Sequence, residues 1–215
     1  MMQFSSDKDI VVFDLDDTLY KEIDYLISAY HAIADTVGLD VVEEMLAWYR
    51  LGENAFQRLI EEYDVGISMA DLLEIYRYHM PNIVLSPESA VFLSYLRETN
   101  VKVGIITDGR SRTQRNKLSV LGLEWIEDVV ISEELGSEKP NEANYRFFED
   151  KYKGYQFTYI ADNPKKDFIT PNKLGWKTIC LRNDGRNIHT QDVKVTEDFR
   201  PKIIVEKLSD LIIRL

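Results

Sequence analysis

Residues 10–19 read IVVFDLDDTL, four apolar residues followed by a run that contains three aspartates. The apolar run has no alternating polar positions, so it is typical of a strand that is buried on both faces of a sheet. Asp14 and Asp16 lie two residues apart, a spacing that places both carboxylates on the same side of an extended chain. The stretch therefore predicts two converging acids beyond the carboxyl end of a core strand, where open α/β sheets place their active sites.

Two carboxylates at this spacing also repel each other. At a separation near 4 Å the repulsion is roughly 4 kcal/mol for an effective dielectric constant of 20. A bound cation, a shared proton or both are therefore expected next to Asp14 and Asp16. The pair alone does not distinguish a binding site from a solvated turn at a strand end; further polar groups at the same edge of the sheet would favour the binding site.

Composition limits the kinds of partner. The chain has 215 residues, of which 45% are hydrophobic and 29% are charged, as expected for a globular domain or a domain with one insertion. The net charge of -11 argues against a nucleic-acid partner. The single cysteine, Cys180, cannot form an internal disulfide and favours a reduced, cytoplasmic setting. No secretion signal or run of 18 apolar residues is found, so no membrane association is expected. The sequence gives no indication of the oligomeric state.

The region directly after the acidic stretch has a helical pattern. Between residues 22 and 82 the apolar side chains recur at i, i+3, i+4 and i+7 in four successive blocks, with no strand pattern between them. Gly38, Gly52 and Gly66 fall at the joints between the blocks. We expect residues 22–82 to form a helical cap subdomain, and residues 1–21 and 83–215 to form the core domain.

Beyond Pro81 the pattern alternates between helix and strand. The predicted strands are residues 101–107, 129–131, 157–161, 177–181 and 203–205; the predicted helices are residues 86–99, 111–121, 141–152 and 168–174, with a last helix from Ser209. This alternation predicts an α/β fold with right-handed crossovers and a mostly parallel sheet. Residues 183–200 are polar and weakly patterned, and we expect a surface excursion there.

Polar groups follow several of these strands. Thr107 closes the second predicted strand, Lys139 stands before a proline that begins a helix, and Asp162 and Asp167 follow the fourth strand. Each of these positions is at the carboxyl end of a predicted parallel strand or in the loop that follows it. Arg110, Arg112 and Arg115 also follow the second strand, where a solvated helix face is a simpler interpretation than a contact with substrate.

With these motifs the chain resembles the haloacid dehalogenase superfamily of hydrolases, of the phosphatase kind with a helical cap after the first strand. The family's DxDxT motif is matched by Asp14, Asp16 and Thr18. Its second, third and fourth motifs are matched in order by three sites: Thr107, Lys139, and the pair Asp162 and Asp167. Ala161 stands where the family often has glycine. The resemblance spans residues 10–181 and implies a Rossmann-like core with the first strand at its centre.

The resemblance also implies a role for each motif residue. Asp14 is expected to attack phosphorus and form an aspartyl-phosphate, while Asp16 protonates the leaving oxygen and later accepts a proton from water. Thr107 and Lys139 are expected to hold the phosphoryl oxygens. The backbone N–H groups of Asp108 and Gly109 are expected to add further hydrogen bonds.

A magnesium ion is part of the same expectation. It would be held by the carboxylates of Asp14 and Asp162 and by the backbone carbonyl of Asp16. Asp167 is expected either to contact the metal shell or to orient Lys139. Mg²⁺ suits such an all-oxygen ligand set, and it would reduce the repulsion between an attacking carboxylate and an anionic phosphoryl group.

Three other functions compete with a phosphatase. A dehalogenase is disfavoured because displacement of halide needs no acid/base such as Asp16. A phosphomutase of the β-phosphoglucomutase type would use the same core residues, so the sequence leaves it open. A non-catalytic phosphate-binding regulatory protein would not need the full motif set. A cap that closes over the site favours a small phosphorylated metabolite such as a sugar phosphate or a nucleoside monophosphate.

Overall fold

A single parallel sheet forms the centre of the protein. The computed structural model describes residues 4–191 and 194–212, and the strands within them are β1 (Asp9–Phe13), β2 (Lys102–Thr107), β3 (Asp128–Ile131), β4 (Gln156–Ala161), β5 (Lys177–Leu181) and β6 (Ile203–Val205). Their order across the sheet is β3-β2-β1-β4-β5-β6, and every neighbouring pair is parallel. The predicted α/β fold with a parallel sheet is confirmed, and β1 lies at the centre of that sheet.

Both faces of the sheet are covered. Val11 and Phe13 of β1 pack into the core on one face of the sheet, while Ile10 and Val12 pack into a separate core on the other face. All four side chains are fully buried. Alternate residues of a strand point to opposite faces, so the uninterrupted apolar run of β1 fills both cores of a three-layer structure.

The helices divide into two groups along the chain. The first group lies between β1 and β2 and comprises α1 (Glu22–Val37), α2 (Val42–Arg50), α3 (Ala55–Glu62), α4 (Met69–Tyr78) and α5 (Pro87–Glu98). The second group lies between the later strands and comprises α6 (Ser111–Val120), α7 (Ser132–Leu135), α8 (Glu142–Lys151) and α9 (Ile169–Lys173). Two 3-10 helices, Glu197–Phe199 and Leu208–Leu211, follow.

The helices α1 to α4 have a hydrophobic core of their own. Ile33, Met45, Leu59 and Leu72 contribute one fully buried side chain from each of the four helices. A capping box between Ser68 and Asp71 begins α4, in which the hydroxyl of Ser68 accepts from the Asp71 N–H and the Asp71 carboxylate accepts from the Ser68 N–H. The boundaries of the cap at residues 22 and 82 remain a prediction.

Two details differ from the sequence-based expectations. The helix α7 was not predicted, because four residues are too few to show a helical period. The last helix, expected from Ser209, is a 3-10 helix at Leu208–Leu211, and the remainder of that expected helix lies outside the described residues. In the described part of the chain no helix combines the length and apolar character that crossing a bilayer requires.

Candidate active site

The end of β1 places Asp14 in the interior. Its backbone N–H donates to the carbonyl of Ile160 (2.9 Å), which extends the hydrogen bonding between β1 and β4 by one residue. The side chain is buried and its carboxylate lies 2.7 Å from Nζ of Lys139. The sheet therefore fixes the position of the proposed nucleophile, and a cation is placed directly against it.

Lys139 is shared between two acids. Its ammonium also lies 2.9 Å from the carboxylate of Asp167, and the Lys139 side chain is only 1% exposed. Burial alone would lower the pKa of Lys139, but Asp14 and then Asp167 raise it well above its ordinary value. Lys139 is therefore charged near neutral pH, and it bridges the loop after β1 and the loop after β4.

Asp108 holds this lysine in place through its backbone. One Asp108 carboxylate oxygen accepts from the N–H of Lys139 (3.1 Å), and the other accepts from Nζ of Lys166 (3.0 Å). The structure thus gives the Asp108 side chain a positioning role. It does not test the expectation that the Asp108 N–H binds phosphate.

Three carboxylates meet beside Lys139. Asp14, Asp162 and Asp167 each offer one oxygen, and these oxygens all lie within 4.8 Å of one another. Burial, followed by the charges of Asp14 and Asp167, raises the pKa of Asp162 well above its ordinary range. A single ammonium does not balance three carboxylates, so the residues present fit a small divalent cation with oxygen ligands such as Mg²⁺.

The pKa of Asp14 is also shifted by burial and by these neighbours. Burial raises its pKa to about 7; Lys139 opposes this rise, and Asp167 adds to it. A carboxyl group with this pKa is only partly ionised near neutral pH, whereas attack on phosphorus requires the ionised form. A cation that held Asp14 and its neighbours would favour the ionised form.

Asp16 faces a different part of the protein. Its carboxylate accepts hydrogen bonds from Nζ of Lys117 (2.7 Å), from Nε2 of Gln114 (2.9 Å) and from the hydroxyl of Tyr20. Burial alone would raise the pKa of Asp16, but Lys117, with Tyr20 and Gln114, lowers it below the ordinary value. The Asp16 carboxylate lies outside the group of three, and its backbone carbonyl is the part expected to reach the metal.

Two of the phosphate-binding residues expected from the sequence, Thr107 and Gly109, have different hydrogen-bond partners. The hydroxyl of Thr107 is buried and accepts a hydrogen bond from Gln114, the same amide that contacts Asp16. The N–H of Gly109 donates to the hydroxyl of Ser132 (2.9 Å), and Gly109 lines a separate surface cavity. The structure therefore links Thr107 to Asp16, while it directs the Gly109 donor towards α7.

A small cavity of about 110 Å³ lies above these groups. Its lining is almost entirely polar and comprises Asp14, Asp16, Asp17, Glu22, Asp108, Lys139, Asp162, Asn163, Lys166 and His189. Glu22, at the start of α1, contributes a carboxyl whose pKa is raised to about 8 by burial and by the charge of Asp16. The cavity thus joins residues from the sheet, from α1 and from the loop after β5.

Sequence reasoning missed two sets of residues here. Gln114 and Lys117 lie three residues apart on α6, so they share one helix face, but this spacing alone gave no signal that the face contacts Asp16. Arg110 and Arg115 pair with Glu133 and Glu134 of α7, each at 2.7 Å, which agrees with the solvated face expected for these arginines. The second set, which includes His189, lies in the polar stretch after β5, where the sequence has no helix or strand periodicity.

Comparisons with known proteins find relatives that match most of this chain. A family model described as haloacid dehalogenase-like hydrolase matches residues 11–181. The chain is 27% identical over 190 residues to a glyceraldehyde 3-phosphate phosphatase of Methanocaldococcus jannaschii. The alignment covers 80% of this chain and 83% of the relative. It is also 25% identical over 178 residues to a phosphoserine phosphatase of Thermus thermophilus. That alignment covers 81% of this chain and 70% of the relative.

A solved structure shares the fold over nearly the whole length. The magnesium-bound structure of YfnB from Bacillus subtilis superimposes with a TM-score of 0.66 at 18% identity, and covers 95% of this chain and 96% of that chain. At this level of identity the likeness shows the fold alone. Because the family model spans β1 to β5 and includes every strand end that carries a motif residue, the chain belongs to the haloacid dehalogenase-like hydrolases.

Proposed function

We propose that this protein hydrolyses the phosphate monoester of a small polar metabolite, with Mg²⁺, through an aspartyl-phosphate on Asp14. The observation that supports this most strongly is the pairing of Asp14 with Lys139 at 2.7 Å next to two further buried carboxylates. Asp16 is held two residues away in a separate hydrogen-bond network. A nucleophile beside an ammonium group and a separate acid/base is the combination that hydrolysis of an ester needs.

Two displacements at phosphorus complete the reaction. In the first, a carboxylate oxygen of Asp14 forms a bond to phosphorus, the bond to the ester oxygen breaks, and Asp16, which must enter this step protonated, gives its proton to the leaving alkoxide and becomes a carboxylate. In the second, water attacks the phosphorus of the aspartyl-phosphate, Asp16 accepts the proton of that water, and inorganic phosphate leaves. Asp14 is regenerated as a carboxylate.

Other residues stabilise the charge that both steps redistribute. Lys139 lies against Asp14 and would hold a phosphoryl oxygen, and Thr107 would offer its buried hydroxyl, which Gln114 links to Asp16. Asp14, Asp162 and Asp167 would hold the metal through their carboxylates, with the backbone carbonyl of Asp16 as a further ligand. When bound, Mg²⁺ supplies positive charge that lets an anionic nucleophile approach an anionic phosphoryl group.

The size of the cavity favours a short leaving group. A space of about 110 Å³ suits the phosphate of a small metabolite, and the relatives named above act on glyceraldehyde 3-phosphate and on phosphoserine, both three-carbon compounds. We therefore favour a three-carbon sugar phosphate or hydroxy-acid phosphate over a nucleoside monophosphate. The cytoplasmic setting expected from Cys180 remains a prediction.

The test is phosphate release from a panel of phosphorylated metabolites. The protein is first treated with a chelator and then assayed with and without added MgCl₂, alongside the Asp14→Asn variant. We expect release from three-carbon esters only with Mg²⁺, and a fall on the order of 10⁴-fold or more in the variant. A phosphate ester that is isomerised without phosphate release would indicate a phosphomutase. Metal-independent release, or full activity of the variant, would contradict the proposal.

A further inference from the structure

Residues 183–191 pack against the site although their sequence has no regular pattern. They connect β5 to the later part of the chain, and their first turn is built by Asn183, whose Oδ1 accepts from the N–H groups of Gly185 (2.7 Å) and Asn187 (3.2 Å). Gly185 has a φ of 95°, a conformation that L-amino acids with a side chain rarely adopt. This turn brings Asn187 back over the carboxyl ends of β1 and β4.

Asn187 contacts one of the three carboxylates directly. Its Nδ2 donates to Oδ2 of Asp162 at 2.8 Å, and Asp162 itself is buried. On the other side, Nζ of Lys21 donates to Oδ1 of Asn187 at 2.9 Å. An ammonium group has only donors, so it requires the amide oxygen to face it and directs the amide NH₂ group towards Asp162.

The rest of the segment holds this contact in place at two further points. The backbone N–H of Ile188 donates to the carboxylate of Asp17 (2.9 Å), which also accepts from the N–H of Glu22 at the start of α1 (2.9 Å). Gln191 donates through Nε2 to the carbonyl of Asp162 (2.6 Å) and to that of Leu181 (2.8 Å). Both the side chain and the backbone of Asp162 are therefore bonded to this one segment.

We propose that Asn187 is a positioning residue for the metal site, which orients the Asp162 carboxylate so that its other oxygen is directed to the cation. This inference rests on the proposed function only for the identity of the metal. A carboxylate that is free to rotate among other acids loses part of its ligand geometry, and residues that hydrogen-bond to metal ligands typically change metal affinity by about 10–100-fold.

The test measures Mg²⁺ binding itself and does not use a substrate. Metal-free protein is titrated with MgCl₂ in a calorimeter, for the unaltered chain and for Asn187→Leu, which keeps the approximate size but removes the donor. We expect the Mg²⁺ affinity of the variant to fall by about 10–100-fold. The control is Thr190→Ala, an exposed side chain in the same segment, which should bind Mg²⁺ as the unaltered chain does.

A second variant separates the donor of Asn187 from the packing of the loop. Lys21→Met removes the group that orients the Asn187 amide and also the ion pair of Lys21 with Asp184 in the same loop (2.9 Å), but it leaves the Asn187 donor in place, so we expect a smaller loss of Mg²⁺ affinity than in Asn187→Leu. Circular dichroism establishes that each variant is folded. Unchanged Mg²⁺ affinity in folded Asn187→Leu would overturn the inference even if the protein is a phosphatase. Weakened binding would support it even if none of the phosphate esters in the panel is hydrolysed.

Discussion

Asp14 and Asp16 lie two residues apart at the end of one strand, yet they belong to two different electrostatic environments. Asp14 shares Lys139 with Asp167 and lies near Asp162, and the crowding of acids raises its pKa to about 7. Asp16 has Lys117 at 2.7 Å together with two further donors, and its pKa is lowered. Each acid has a buried lysine beside it, but the number of neighbouring carboxylates differs.

This difference gives the two acids at one strand end distinct chemical surroundings. The Asp14 group has more carboxylates than cations and therefore suits a metal ion. The Asp16 group is balanced by protein donors and needs no ion. In the metal-free protein the two pKa values are displaced opposite to what the roles need, since a nucleophile must be ionised and a general acid protonated. A cation bound beside Asp14 would favour its ionised form. Both lysines come from outside β1, so the distinction is made by the loop before α8 and by α6.

Removing the lysine of the crowded group should have the largest effect. In Lys139→Met the buried carboxylates of Asp14 and Asp167 lose their cation, so we expect the free energy of unfolding of the metal-free protein to fall by about 3–5 kcal/mol. Turnover should fall about 10³-fold, because a phosphoryl-binding charge is also lost. Chemical denaturation and steady-state phosphate release measure the two effects.

Lys165→Met provides the matched control, because Lys165 is exposed and lies in the turn after Asp162. It should change neither stability nor turnover appreciably. Metal-free Lys139→Met with the stability of the unaltered protein would show that the crowding of acids around Asp14 is less severe than the distances indicate.

Asp16→Asn should have the next largest effect, and its size should depend on the substrate. An alkyl ester needs a proton on its leaving oxygen, so turnover should fall about 10²–10⁴-fold. p-Nitrophenyl phosphate releases a stable phenolate without protonation, so its first step should be nearly unaffected, while hydrolysis of the aspartyl-phosphate is slowed. Rapid-mixing measurements should then show a burst of about one equivalent of p-nitrophenol per site.

The burst is the decisive reading in this experiment. An equal loss on both esters without a burst would mean that Asp16 acts on the nucleophilic step, and the division of roles between the two acids would be wrong. Asp17→Asn does not serve as a control, because Asp17 holds both α1 and the 183–191 segment through its carboxylate.

A smaller effect is expected from Lys117, which acts on Asp16 from α6. Without this ammonium the pKa of Asp16 should rise, so the pH–rate profile of Lys117→Met should move to higher pH. The turnover at the optimum should fall about tenfold, as for loss of a hydrogen bond to a charged group. Lys117→Arg should keep much of the original profile, because it retains the positive charge.

Arg115→Met tests whether this shift is specific. Arg115 lies on the same helix but pairs with Glu134 through an exposed contact. The pH–rate profile of this variant should match that of the unaltered chain. If Lys117→Met also keeps the original profile, the lysine contributes to packing only and does not set the protonation of Asp16.

The sequence predicted the parts of the site that lie on regular elements. The buried run before Asp14 and the alternation of strands and helices were enough to predict the α/β fold and the parallel sheet, because apolar periodicity reports directly on burial. The positions of Thr107, Lys139, Asp162 and Asp167 follow from the rule that the carboxyl ends of parallel strands share one edge.

The remaining contacts could not be predicted because they depend on side-chain direction and loop path. Nothing in the spacing of Gln114 and Lys117 indicates that they point to Asp16 rather than to solvent, since a polar helix face is usually exposed. Asn187 reaches Asp162 through a turn made by Asn183 and Gly185, and such a path has no periodic signature. Long-range hydrogen bonds of this kind become visible only in three dimensions.

The smallest expected effect concerns Glu22 at the start of α1, whose pKa depends on the charge of Asp16. Burial, and then Asp16, raise its pKa from 4.5 to about 8. The folded state thus binds the proton more tightly than the unfolded state. The stability that this provides is fully present below pH 4.5 and is lost as the pH rises through about 8. Glu22→Gln mimics the protonated carboxyl and does not titrate.

In metal-free buffer the melting temperatures of the unaltered chain and Glu22→Gln should therefore agree near pH 5 and separate by a few degrees towards pH 9, with the variant the more stable. About 1 kcal/mol corresponds to roughly 2–4 °C in a chain of this size. Glu43→Gln, on the exposed side of α2, should show no such separation. Because Lys117 lowers the pKa of Glu22, the separation should become larger and continue to higher pH when Lys117→Met is the background, while its onset, which the unfolded-state pKa sets, stays the same. If the separation did not change, Glu22 would be responding to burial alone and would not report on the Asp16 group.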